Sequence, residues 1–352
     1  MTAAETLPVE YVEANNDDAN PVVTLIGADI SEAYLDDAEP SPTMEALSRI
    51  WRRIVGLFKL SIVLVLVGGY PALIVAGHKV DSSAVVLSSA TPWVSNDTGT
   101  AMTLLGRELS VAGWAGDRSW WHPQARLTAL PAWQDGITGA LSDWSLLASE
   151  HAAIEAGASD SDLLAAARLL VPSQKAEATP RLNAAAEALQ SYEGRLSRGL
   201  AAQPKGINVL VDELALYKRW SSDAQTRLRS SADRAEAWPA SREDIEALYE
   251  TRAYAQVASQ LLMSSLIQEP ELVKTRTARE ARDRAIFAWR RAATFNPLMV
   301  SSQAGTGSIL SDHPAAMMYY LSEVDATTTD FIDALQAQEQ EIIAVAESDA
   351  EE

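Results

Sequence analysis

Residues 207–238 read INVLVDELALYKRWSSDAQTRLRSSADRAEAW. Apolar side chains recur at Ile207, Leu210, Leu214, Tyr217, Ala224, Leu228, Ala235 and Trp238, in steps of three and four broken at Ser221 and Ser231. Such steps bring the side chains to one face of an α-helix. Residues 181–203 carry a shorter version, with Leu182, Ala185, Leu189, Tyr192 and Leu196. The turn at Gln203-Pro204-Lys205-Gly206 joins the two segments, which together predict a long antiparallel helix pair.

Helical patterning continues on both sides. Toward the C-terminus, Ser241 with Asp244 three residues on predicts a capped helix from Arg242 to about Ile267. A further helix, basic for much of its length, is expected from about Glu271 to Phe295. Pro270, Pro297 and Pro314 divide this part of the chain. Toward the N-terminus, Met102, Leu105 and Leu109 keep helical spacing. Pro131 suits a helix start that places Trp133, Ile137, Leu141 and Trp144 on one face. Only Val85-Val86-Leu87 is a plausible strand. The domain is therefore expected to be a mainly α bundle with long antiparallel helices.

Residues 60–77 read LSIVLVLVGGYPALIVAG without a charge. Eighteen helical residues span about 27 Å, close to the hydrocarbon thickness of a bilayer. The expected transmembrane helix covers about 54–77, with Lys59 snorkelling to the interface and Pro71 and Gly68-Gly69 loosening its outer half. A buried core helix is the soluble alternative. Arg49, Arg52, Arg53 and Lys59 precede the run and only Lys79 follows closely, which puts the N-terminus in the cytoplasm. About fifty residues before the run argue against a cleaved signal peptide. Trp51 and Trp93 flank the run as candidate interface residues.

Four regions follow. Residues 1–48 form an acidic, disordered cytoplasmic tail, and 49–78 the juxtamembrane and transmembrane helix. Residues 79–336 form a periplasmic helical domain, and 337–352 an acidic C-terminal tail that extends a helix and then frays. The first 48 residues hold eleven acidic side chains and no basic one, and no Lys or Arg follows Arg291. A formal charge of −20 argues against general nucleic-acid binding, which rests on Lys and Arg at phosphates. The absence of cysteine removes disulfides, thiolate nucleophiles and cysteine-based zinc sites.

No catalytic constellation, cofactor motif or metal-ligand spacing stands out. His78, His122, His151 and His313 form no short ligand motif. A metal site would have to gather His122, His313, Asp117 and Asp312 from afar; the alternative is that His122 and His313 bond locally at turns beside prolines. The 305–308 segment, GTGS, lacks the lysine and spacing of a phosphate loop. Trp114, Trp120, Trp121, Trp133 and Trp144 crowd one stretch, either as a sugar- or membrane-facing platform or as filling for one hydrophobic corner. The candidate polar and aromatic cluster is Trp114, Trp121, His122, Asp312 and His313.

The 106–137 stretch, GRELSVAGWAGDRSWWHPQARLTALPAWQDGI, resembles the bacterial domain-of-unknown-function 2333 family, whose members show a Gly-Trp turn, an aromatic-Pro step and a segment running into Gln-x-Gly-Ile. The 248–273 stretch, LYETRAYAQVASQLLMSSLIQEPELV, is similar to that family's Tyr-x-x-Arg helix, and 296–324 to its closing segment. The chain departs from the family at Asp117-Arg118, where Asn-Asp is expected, and at Asp312-His313, where Asn-His is expected. The resemblance implies an uncharacterised membrane protein and supplies no catalytic residue.

The expected function is thus structural or interactive: a single-pass inner-membrane protein whose outer domain contacts envelope proteins. The lipid bilayer is one partner, and helix-mediated self-association is another. The alternative is a cell-wall hydrolase with a site near His122 and His313. A weaker third reading is a signalling module whose acidic tail recruits a basic cytoplasmic partner.

Overall fold

The structure, a computed structural model, describes residues 42–69, 80–87, 93–119, 122, 124, 127–154, 158–172, 177–232, 240–297, 300–301 and 312–351. Among them all regular structure is helical. The chain divides into two units, Met1–Val65 and Leu66–Glu352.

The first unit is described from helix α1, Pro42–Leu64. Proline suits a helix start, where its missing N–H would be unpaired anyway. A helix running into the membrane segment is expected from Glu45 to Leu57, and the observed helix starts three residues earlier, inside the acidic tail. A π-helical turn, Val65–Gly69, follows and includes the Gly68-Gly69 pair. Most apolar side chains of this stretch are exposed among the described residues: Leu57 is 66 % exposed and Val67 72 %. No helix among the described residues is long and apolar enough to cross a membrane. The anticipated span ends within residues 70–79, which lie outside the described residues, as do Pro71 and His78.

The second unit contains α2 (Asn96–Arg107), α3 (Ala129–His151), α4 (Ser161–Leu170), α5 (Ala178–Leu196), α6 (Ile207–Ala232), α7 (Arg242–Gln268), α8 (Arg276–Thr294) and α9 (His313–Glu351). Residues 337–351 continue α9 to Glu351. Caps fix several starts. The Ser95 hydroxyl accepts from the Thr98 N–H, Asp160 accepts from Asp162 and Leu163, and Ser241 with Asp244 forms the anticipated reciprocal box.

Helix α7 is the centre. It packs on α3, α8, α2 and α6 and buries residues on every side, from Leu248 and Arg252 to Val257 and Leu262. Such a helix has no solvent stripe. Gly136 of α3 allows the close approach to α7, because a Cβ there would lie 2.6 Å from Ala253 Cβ and 2.9 Å from the Glu250 carbonyl oxygen.

The seams are real, but their pairing is not the anticipated one. Leu182, Ala185, Leu189 and Tyr192 of α5 are buried, as are Leu210, Leu214, Tyr217, Ala224 and Leu228 of α6. Yet α5 lies against α4 and α2, while α6 lies against α9 and α7. Periodicity selects the buried face but carries no information about the partner. Charged groups fix the partners instead. Arg195 of α5 bonds Asp160 and Asp162 at the start of α4. Gly206 and Arg227 meet Glu269 and Glu250, which makes α6 and α7 antiparallel. Ser221, the break in the seam, is buried and donates to the Leu321 carbonyl of α9.

The anticipated strand at 85–87 is irregular chain. Its segment is strapped to α7: the Val85 N–H donates to Gln260 Oε1 at 2.7 Å and Gln256 Nε2 to the Ser83 carbonyl at 3.0 Å. Glutamine side chains thus take hydrogen bonds that a neighbouring strand would otherwise supply.

Candidate functional site

Trp114, Gly116, Pro131, Ala132, Gln134 and Asp135 build one side of a cleft. The 108–112 end of α2 is a π-helical turn that stops at Gly113, whose φ of 70° is open to glycine without a Cβ penalty. The chain then turns back at Trp114. Gln134 of α3 holds this turn at two points: its Oε1 accepts from the Ala115 N–H at 2.9 Å and its Nε2 donates to the Gly113 carbonyl at 3.0 Å. The Gly-Trp turn and the Gln-x-Gly-Ile segment, read separately in the sequence, are therefore one physical unit. Gln134 clamps the turn, Gly136 admits α7, and Ile137 fills the core.

Between this unit and α7 lies a cleft of about 520 Å³, lined among others by Trp114, Gln134, Asp135, Arg242, Glu246 and Glu250. Volumes of this order suit a small ligand or the side chains of a partner. Glu246 is paired with Arg242 at 2.6 Å and Glu250 with Arg227 at 2.5 Å. Asp135 has no such partner among the described residues. Its carboxyl is pushed up to about 6, first by burial, then by the Glu250 charge; Arg181 opposes this and Glu246 adds to it. A cation entering the cleft would relieve that repulsion. Of the described members of the candidate polar and aromatic cluster, Trp114 lines this cleft and His122, Asp312 and His313 do not; Asp135 is not among the candidates because helix carboxylates are usually solvated.

The other candidates have local work. Trp121 lies outside the described residues, as do Trp120 and the 305–308 segment. The His122 ring accepts from the Gln124 N–H at 3.2 Å. His313 is buried, and its Nδ1 accepts from the Ser301 N–H at 2.9 Å. Asp312 caps α9, accepting from the Ala315 N–H at 2.9 Å. Asp117 crosses 61 positions of sequence to cap α5, accepting from the Ala178 N–H at 2.9 Å and the Thr179 N–H at 2.7 Å. Burial raises its proton affinity, but these bonds more than offset it and hold the carboxyl below its usual range. Among the described residues no three of His, Cys, Asp and Glu are grouped to hold a metal ion. Trp114, Trp133 and Trp144 are buried core residues rather than a platform.

The Tyr-x-x-Arg pattern forms a buried stack. Arg252 is 0 % exposed, and its guanidinium lies 4.9 Å from the Tyr249 ring centroid and 5.6 Å from that of Trp133. Its Nη1 donates to Asn296 Oδ1 at 3.0 Å, tying α7 to the chain after α8. Burial lowers the proton affinity of this arginine, and two aromatic faces offset part of that cost.

A second acidic group sits at the ends of α2, α6 and α7. The Ser265 hydroxyl lies 3.0 Å from Asp97 Oδ1 and 3.2 Å from Glu213 Oε2, while Trp144 Nε1 donates to Glu213 Oε1 at 3.2 Å. No family model, no curated protein and no solved structure matches the chain.

Proposed function

We propose that this chain is a membrane-anchored interaction protein of a bacterial cell envelope. Residues 54–77 cross the inner membrane with the N-terminus inside, and the helical unit stands on the periplasmic side. The observation that carries this reading is the open apolar surface of 57–67, where Leu57, Phe58, Leu60, Ile62, Val63, Leu64, Val65, Leu66 and Val67 are all exposed. Apolar area of that extent marks a contact with lipid or protein, and the charge-free run continues in sequence to Gly77. The resemblance to the domain-of-unknown-function 2333 family implies the same anchored arrangement.

The outer unit's part in this role is binding. The cleft beside Trp114 is lined by Asp135 together with Glu246 and Glu250, whose charges act on it, and this suits a basic side chain of a protein partner in the envelope. Reporter fusions test the topology: a reporter active only in the periplasm should work after Glu352 and fail after Asn20. The reverse pattern would overturn the orientation. Site-directed photocrosslinking at Gly116, on the cleft rim, should yield a discrete adduct in intact membranes that Asp135→Lys abolishes. An adduct indifferent to that charge reversal would overturn the cleft's role.

A further inference from the structure

Ser265 Oγ has three acceptors within hydrogen-bond distance: Asp97 Oδ1 at 3.0 Å, Glu213 Oε2 at 3.2 Å and the Leu261 carbonyl at 3.1 Å. A hydroxyl has one proton to give and otherwise only accepts. With both carboxyls ionised, two acceptors would face its lone pairs. A proton on one carboxyl, donated to Ser265, lets the serine give its own proton to the other, which leaves only the Leu261 carbonyl, an acceptor of the helix backbone, facing a lone pair.

The Ser264 hydroxyl of α7 also acts on Asp97 and opposes its protonation, but among the described residues no cation acts on the pair. The two carboxyl oxygens lie within about 6 Å of each other, where like charges raise each other's proton affinity. Glu213 is buried. The cavity bordered by Asp97, Trp144, Tyr192 and Glu213 measures about 10 Å³, the lower bound for one water. The groups that face the pair are acidic or neutral on each helix. From α6 comes Tyr217, whose buried hydroxyl has no partner among the described residues. From the end of α7 comes Glu269, which accepts from the Gly206 N–H at 3.1 Å. From α5 come Tyr192 and Glu193, the latter accepting from the Ser95 N–H at 3.4 Å. From α3 comes only the Trp144 indole. Burial first pushes Asp97 up to about 6, with the Ser264 and Ser265 hydroxyls opposing and the Glu269 charge adding. Burial and then the Asp97 charge push Glu213 up to about 8, with Trp144 and Ser265 opposing and Glu269 adding.

We propose that the Asp97–Ser265–Glu213 joint is a proton-operated latch, closed when the pair shares a proton and loosened when both carboxyls ionise. It holds the first turns of α2 and α6 against the last turn of α7, and so opens as pH rises. Groups whose proton affinity is raised by folding bind more protons in the folded state, so stability falls as pH climbs through their folded values. This inference is independent of the membrane reading.

The test is unfolding of the full chain in detergent between about pH 5 and 8. The wild-type unfolding constant should rise with pH, approaching about tenfold per pH unit for each proton released. Glu213→Gln keeps the shape and carries its own N–H donor, so it should flatten that rise. Amide exchange over 96–100 and 207–213, corrected for its intrinsic pH dependence, should accelerate with pH in the wild type and not in the variant. Should Glu213→Gln fail to fold, Asp97→Asn asks the same of the other carboxyl. A wild-type slope retained in the variant that folds, or pH-independent exchange in the wild type, would overturn the latch.

Discussion

The Trp133 indole donates to Glu108 Oε1 across 2.9 Å, joining the interior of α3 to the turn that ends α2. Both residues are buried, and burial raises the proton affinity of Glu108 while this bond and Gln134 oppose it. Removing only the donor leaves a buried acceptor unmet. Trp133→Phe should cost about 1–3 kcal/mol for that group, with a packing loss added. Glu108→Gln should cost less, because its amide oxygen still accepts. Chemical denaturation compares the two, and equal losses would show that the bond contributes little.

Leu214 is 0 % exposed on α6, whereas Arg229 of the same helix is exposed. Leu214→Ala should cost about 2–5 kcal/mol through lost transfer energy and a cavity. Arg229→Ala should stay within about 0.5 kcal/mol. Matching midpoints in denaturant for the two variants would contradict the burial of the α6 face.

Asp117 supplies the side-chain cap for α5, because Glu177 at the cap position has φ 69° and makes no side-chain cap bond. Asp117→Ala should lower stability by about 0.5–2 kcal/mol, the range for a lost cap. The pH dependence has a definite sign. A carboxyl held below its unfolded value adds stability above that value, near 3.9, and loses it as pH falls through the folded value. The wild-type advantage over Asp117→Ala should therefore be full near neutrality and shrink below about pH 4. Acid titration of both proteins, followed by circular dichroism, would reveal a constant gap if the cap were irrelevant.

Two glycines should respond in opposite directions to the same change. Gly136→Ala places a Cβ 2.6 Å from Ala253 Cβ and against the Glu250 backbone, so overpacking of about 1–3 kcal/mol is expected. Gly194 of α5 has nothing within 4 Å of its Cβ position, and Gly194→Ala should stabilise by about 0.5–1 kcal/mol. Thermal melts of the pair decide it; a Gly136→Ala variant as stable as the wild type or more so would refute the close α3–α7 approach.

The helices and their buried faces were legible in the sequence because they are local properties. A period near 3.6 at Leu210, Leu214 and Tyr217, or at Trp133, Ile137 and Leu141, follows from helix geometry and needs no partner to be recognised. The Ser241–Asp244 box is equally local, closing within one turn. Partnership was not legible, since any apolar seam fits many others. Only the folded chain decided that α6 lies on α7 and α9, through Ser221 with Leu321 and Arg227 with Glu250. The same limit hid the sites. Asp117 looked like one member of a distant polar set until α5 came to rest on it. Asp97, Glu213 and Ser265 are ordinary helix residues in the sequence, far apart in number. The shared proton proposed for them depends on three helix ends converging to bury Glu213 and bring Asp97 to it, and that convergence is a property of the tertiary structure, not of any one segment.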